Sequence, residues 1–134
     1  MNLTVGQELP ARDFKITRDS LVCYAGASGD FNPIHYRDDV AQSVGLPGVL
    51  AHGMLTMGLA VQVVVDFVGD SGQILDYQVR FTKPVLVDAE KGATVSVAAK
   101  VIEIDEETKL ARIDVTAVCA ELTVLGKAQV RVKI

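Results

Sequence analysis

The chain has 134 residues and a net charge of −4, long enough to bury one core but too acidic to neutralise a phosphate backbone, which excludes nucleic-acid binding as its business. Hydrophobic residues make up 49% and Trp is missing, so a core of Val, Leu, Ala and Ile is expected. Cys23 and Cys119 stand far apart, without Cys-x-x-Cys or zinc-type spacing, which predicts buried reduced thiols, no disulfide framework and no metal site.

The first residues carry neither a basic n-region nor an apolar h-region, so nothing marks the chain for secretion and a cytoplasmic location is expected. Gly6 and Pro10 give an irregular start leading into a short strand over 13–16. Thr17-Arg18-Asp19-Ser20 then offers a helix N-terminus, with Thr17 as cap, Ser20 at the third helical position and Asp19 favourable to the dipole. Leu21, Val22, Tyr24 and Ala25 supply an apolar face; Gly26 and Gly29 unwind it. Residues 36–45 read as a helix of about two or three turns closed by Gly45, with Pro47 just beyond.

Residues 52–68 are apolar almost all round, which predicts a helix buried on most of its surface. Val61 and residues 63–65 make a strand defensible for its second half, but the length favours a helix. The stretch is shorter than the roughly 20 residues of a membrane span and carries Gln62 and Asp66, so no membrane association is expected. Residues 69–72 break it. Strands follow over 73–83, 93–104, 110–120 and 122–134, with charged hairpin connections at 88–92 and 105–109. Glu121 leaves room only for a tight bend, or for a continuation to a turn near 124–127 that Gly126 permits. Alternation over 111–116 and 129–134 predicts an antiparallel sheet with one face on a core.

The chemistry gathers in Tyr24-Ala-Gly-Ala-Ser-Gly-Asp30-Phe-Asn32-Pro-Ile-His35. Pro33 biases Asn32 away from the helical region, so the preceding helix stops near Asp30, and Asp30 and His35 share a bend. One reading makes them an acid/base pair on a loop. The other gives Asp30 a turn to close, Asn32 an Asx-turn, and leaves His35 a satisfied polar residue near the surface. A second stretch, Ala51-His-Gly53-Met-Leu-Thr-Met-Gly58, sets a glycine near the first turn of the apolar helix, where unpaired N–H groups meet a developing negative charge.

These two segments, together with Tyr77-Gln-Val-Arg-Phe-Thr-Lys-Pro-Val85, resemble in order and spacing the MaoC-like, (R)-specific enoyl-thioester hydratases. Within that family they look most like the catalytic B subunits of mycobacterial-type (3R)-hydroxyacyl-carrier-protein dehydratases. The resemblance covers nearly the whole chain and implies an α+β fold: a single hot-dog domain over 1–134, an antiparallel sheet wrapped around a long central helix. It implies interconversion of (2E)-enoyl and (3R)-3-hydroxyacyl thioesters carried on coenzyme A or acyl carrier protein. Asp30 and His35 are then the catalytic pair, Gly53 the oxyanion donor and Asn32 a supporting residue, with His52 structural or pocket-lining. No cofactor or metal is implied. The expected partner is a second hot-dog subunit, in a homodimer or a heterodimer. A hot-dog thioesterase and a non-catalytic acyl-thioester-binding subunit are the alternative readings.

Overall fold

Strand β1 (Arg12–Ile16) feeds directly into helix α1 (Arg18–Ser28), and the switch is made by Thr17. Its hydroxyl accepts the Ser20 N–H while the Ser20 hydroxyl accepts the Thr17 N–H, a reciprocal cap that satisfies the first amides of the helix. The computed structural model describes residues 2–70 and 73–134. A 3-10 turn (Pro33–His35) and a short helix α2 (Asp38–Ser43) follow, then α3 (Gly53–Val68) and strands β2 (Ile74–Phe81), β3 (Ala93–Asp105), β4 (Leu110–Cys119) and β5 (Leu122–Lys133). Ser71 and Gly72, within the expected break after α3, lie outside the described residues.

The five strands form one antiparallel sheet in the order β1-β3-β4-β5-β2. Strict alternation in β3 and β4 sends Val95, Val97, Val101, Ile113 and Val115 to a single face, and α3 lies across that face against β2, β3, β4 and β5. Tyr77 on β2 donates its hydroxyl to Met57 O of α3 at 3.0 Å, and burial pushes this phenol up to about 12. No helix among the described residues is long and apolar enough to cross a membrane.

Several expectations are refined or corrected. Helix α3 is buried or half-buried over most of its length, with only Met54, Gly58 and Asp66 exposed, but its burial is uneven. Thr56, Ala60, Val63 and Val64 form one buried stripe, whereas Met54 is 59% exposed, because a single sheet covers a single side. Gly26 continues α1, and only Gly29, with a left-handed φ of 77°, ends it. The predicted 36–45 helix shrinks to six residues with Val44 at its C-cap, since the 3-10 turn takes the chain before it. Residues 88–92 do not join paired strands: β2 pairs with β5 at the far edge, and the turn closes on itself through Asp88 and Gly92. The β4–β5 connection is the tight bend, two residues with positive φ, Ala120 and Glu121, while Gly126 sits inside β5 at a shift of register. Both cysteines are free, but Cys23 is exposed on α1 rather than buried.

One polar clamp ties these elements to the start of α3. Asp38 Oδ1 accepts the Val49 N–H at 2.9 Å and an Arg18 guanidinium nitrogen at 3.0 Å, while Arg18 also donates to Val87 O. The Val49 amide first, and Arg18 second, hold the Asp38 carboxyl below its ordinary range. A carboxyl depressed in the fold adds stability above its unfolded value of about 4, and that stability is lost as pH falls through the lower, folded value. Asp38→Asn is therefore expected to melt below wild type at pH 7, and the gap to close on acidification below about pH 4. Thermal melts followed by circular dichroism check this; a gap that stays constant with pH would remove the ionised clamp from the account.

Candidate active site

The bend that carries Asp30 is built from consecutive side-chain caps. Gly29 closes α1 by donating its N–H to Ala25 O, and Ser28 Oγ accepts the Asp30 N–H at 3.2 Å. Asp30 Oδ1 accepts the Asn32 N–H at 3.1 Å, and Asn32 Oδ1 accepts the Ile34 N–H at 3.2 Å, opening the 3-10 turn with Pro33 at its first position. Asp30 and Asn32 make Asx-turns, and the same turns leave Asp30 Oδ2 without a hydrogen bond. That oxygen lies 3.9 Å from His35 Nε2.

His35 is only 8% exposed, and its Nδ1 sits 2.7 Å from Leu50 O. A carbonyl oxygen only accepts, so Nδ1 carries a ring proton, and in the neutral ring Nε2 presents a lone pair toward Asp30. Two acceptors 3.9 Å apart do not bond to each other. They suit a water between them: at the usual contact of about 2.8 Å to each, the water sees them roughly 90° apart, close to the spread of its own two O–H bonds. The geometry thus suits one water held by both protons, with an oxygen lone pair free.

Gly53 opens α3 beside this pair. The first bonds of the helix run from the Leu55 and Thr56 amides to His52 O, so the Gly53 and Met54 N–H groups precede the ladder. A cavity of about 270 Å³ is lined by His35, Gly53, Thr56, Phe81 and Lys83 among others. A Cβ at position 53 would stand 3.0 Å from the Phe81 ring, so the glycine is what lets that ring, and anything in the cavity, approach the main chain. Arg80 faces a separate hollow with Lys127, and at the other end of α3 Asp66 pairs with Arg12 at 2.9 Å and with Gln62 at 2.7 Å.

Of the two roles expected for His52, structural or pocket-lining, its place does not fit the second, since it does not line the cavity. It is 1% exposed, behind the pair, with its ring stacked on His35 at a centroid distance of 3.9 Å and an interplanar angle of 24°, and Tyr24 at 4.8 Å. Donor atoms of Asp30, His35 and His52 lie within 4.8 Å of one another. They do not make a metal centre, because a metal must lie in the plane of each imidazole at about 2.0–2.1 Å from its nitrogen, and near-parallel stacked planes share no such point. Nothing local in the sequence foretells this stacking; the contact is made by residues far apart in the chain.

The sequence matches the family described as MaoC like domain over residues 2–119. It is 39% identical over 87 residues to 3-hydroxyacyl-thioester dehydratase X of Mycobacterium tuberculosis, covering 65% of this chain and 30% of that protein. An (R)-specific enoyl-CoA hydratase of Rhodospirillum rubrum is 33% identical over 89 residues, 66% of this chain and 62% of its own. A solved MaoC-like dehydratase superposes with a TM-score of 0.97 at 38% identity, covering 99% of this chain and 41% of its own. The chain therefore spans less than two thirds of each of these proteins.

Proposed function

This chain belongs to the MaoC-like domain family, and on that premise we propose that it is a hydro-lyase interconverting (2E)-enoyl and (3R)-3-hydroxyacyl thioesters of coenzyme A or acyl carrier protein. The observation that carries the reading is the pair of bare acceptors, Asp30 Oδ2 and His35 Nε2, 3.9 Å apart beside a cavity that also meets the first amide of α3. The held water attacks Cβ through its free lone pair and gives one proton to Asp30, with His35 keeping the oxygen in place. The π electrons move onto the thioester carbonyl, whose oxygen accepts a hydrogen bond from the Gly53 N–H, and the enolate collapses as Cα takes the proton that Asp30 received from the water, which restores the carboxylate. One water is added and no other reactant is needed. Dehydration is the same path in reverse.

Catalysis in this scheme comes from positioned proton transfer and a preorganised donor, each worth on the order of 100-fold or more. A thioesterase would need the same water aimed at the carbonyl carbon. The two reactions separate cleanly in one assay. With crotonyl-CoA, the expected result is loss of the conjugated enoyl absorbance with no thiol released; thiol release at the rate of substrate loss would instead establish hydrolysis.

We propose further that the working unit contains a second hot-dog subunit, identical or related. Supporting this, the edge strand β2 leaves Leu75 57% and Phe81 53% exposed, and Met54 of α3 is exposed as well. If the chain alone shows no turnover, the same assay is repeated with a related hot-dog subunit. Substrate binding without turnover in both would favour a non-catalytic binding subunit.

A further inference from the structure

His52 touches both members of the proposed pair without facing the cavity itself. Its Nε2 lies 3.1 Å from the main-chain carbonyl oxygen of Asp30, and its ring stacks on His35. Since Asp30 O can only accept, a hydrogen bond at that distance requires the proton of His52 on Nε2. The opposite tautomer would set a nitrogen lone pair against an oxygen lone pair. His52 is thereby fixed in the tautomer opposite to that of His35, whose proton sits on Nδ1 against Leu50 O.

That assignment leaves His52 Nδ1 as a bare acceptor, and Nδ1 is buried with no hydrogen-bond partner. A buried acceptor without a partner is destabilising, and at a site 1% exposed an apolar side chain would avoid it. Packing alone gives no reason for a histidine. Its contacts do. The carbonyl bond fixes the peptide from which the Asp30 side chain departs, while the face-to-face contact fixes the plane of His35. Leu50 O already holds the His35 ring along its edge, so edge and face together leave its Nε2 aimed at Asp30 Oδ2.

We infer that His52 is a positioning residue, which holds Asp30 and His35 at water-bridging distance through its Nε2–H bond to the Asp30 carbonyl and its stack on His35. The inference rests on the hydratase reading for its consequence in turnover, and on geometry alone for the tautomer. Misplacing a reacting group by about 1 Å costs on the order of 100-fold, so the loss of this support is read in turnover and not in substrate affinity.

The test compares His52→Leu, which fills the site without a donor, with His52→Gln, whose amide N–H reaches the same carbonyl. Expected for Leu is a kcat about 10- to 100-fold lower with KM within about threefold, and for Gln recovery of most of that loss. A kcat in the Leu variant within twofold of wild type, or a Gln variant as impaired as Leu, would overturn the inference. Should the Leu variant not fold, the wild type decides. The chain has only two histidines, so long-range 1H–15N spectra assign both rings directly. A protonated Nε2 on His52 and a protonated Nδ1 on His35 are required, and His52 protonated on Nδ1 sinks the proposal. A wild type without turnover, alone and with a partner subunit, ends the hydratase reading and the positioning role together. An active wild type with the wrong tautomer or an indifferent Leu variant ends the positioning role alone.

Discussion

Asp30→Asn is expected to lower turnover of a 2-enoyl thioester by about 100- to 10,000-fold with the fold intact. The substitution is nearly isosteric, and the amide oxygen can still accept the Asn32 N–H, the bond that now fixes Oδ1 at 3.1 Å. What disappears is the base. The amide nitrogen would occupy the place of Oδ2, unable to take a proton from water and disposed to donate to His35 Nε2, closing the gap in which the water sits. His35→Asn makes the companion variant, because its amide N–H can keep the bond to Leu50 O while Nε2 is lost. On the proposed mechanism the two groups act on one water, so their losses should not add: the double variant is expected to be no slower than the worse single one. Steady-state rates with crotonyl-CoA, and melting curves to show that each variant is folded, check this. A double variant slowed by the product of the two single losses would mean that Asp30 and His35 act in separate steps.

Much of this arrangement was legible because it is local. The cap at Thr17 and Ser20, the stop before Pro33 and the two Asx-turns are decided by residues within four positions of one another, where side-chain chemistry and backbone restriction act directly. The alternation of β4 and β5 likewise reads straight into burial. What failed was nonlocal. Strand β2 lies where the sequence puts a strand, but nothing in its composition says that it passes its neighbour in sequence to pair with β5, which is why residues 88–92 are not the hairpin their charge suggests. The apolarity of α3 predicts burial on most of its surface but not its grading: Thr56, Ala60, Val63 and Val64 are buried, Leu55, Leu59, Val61, Phe67 and Val68 are partly buried against the core, and Met54 stays exposed.

The site divides along the same line. Asp30, Asn32 and His35 announce themselves by spacing, whereas the role of Gly53 depends on what packs against it and that of His52 on a ring stack between residues 17 positions apart. In the sequence His52 reads as structural or pocket-lining, because His35 already fills the expected role. Its carbonyl contact and its unpaired nitrogen appear only in three dimensions. Leu50 and Ala51 reach the site on a segment that bonds to 85–87, so the acceptor for His35 comes from a backbone pinned on its other side by residues distant in the sequence.

Gly53→Pro is expected to lower kcat about 100- to 1,000-fold by deleting a single N–H, with Gly53→Ala losing far less. Position 53 is the first of α3, where a helix does not use the amide and proline is tolerated. The preceding residue already has the extended backbone a proline demands, since His52 stands at φ −57° and ψ 129°. The one steric conflict is with Phe81, whose ring would lie 3.0 Å from a new Cβ, and that ring is half exposed and free to turn away. Alanine carries the same Cβ and keeps the N–H, so it isolates the steric part. If the amide receives the enolate oxygen, proline and alanine differ by the full oxyanion effect while their melting temperatures stay close to wild type. Equal activity in the two variants would show that Gly53 serves only the approach of Phe81 and the substrate to the helix. In that case the developing charge would have to be met by another donor, and the Met54 amide, which also precedes the helical ladder, would be the next to delete.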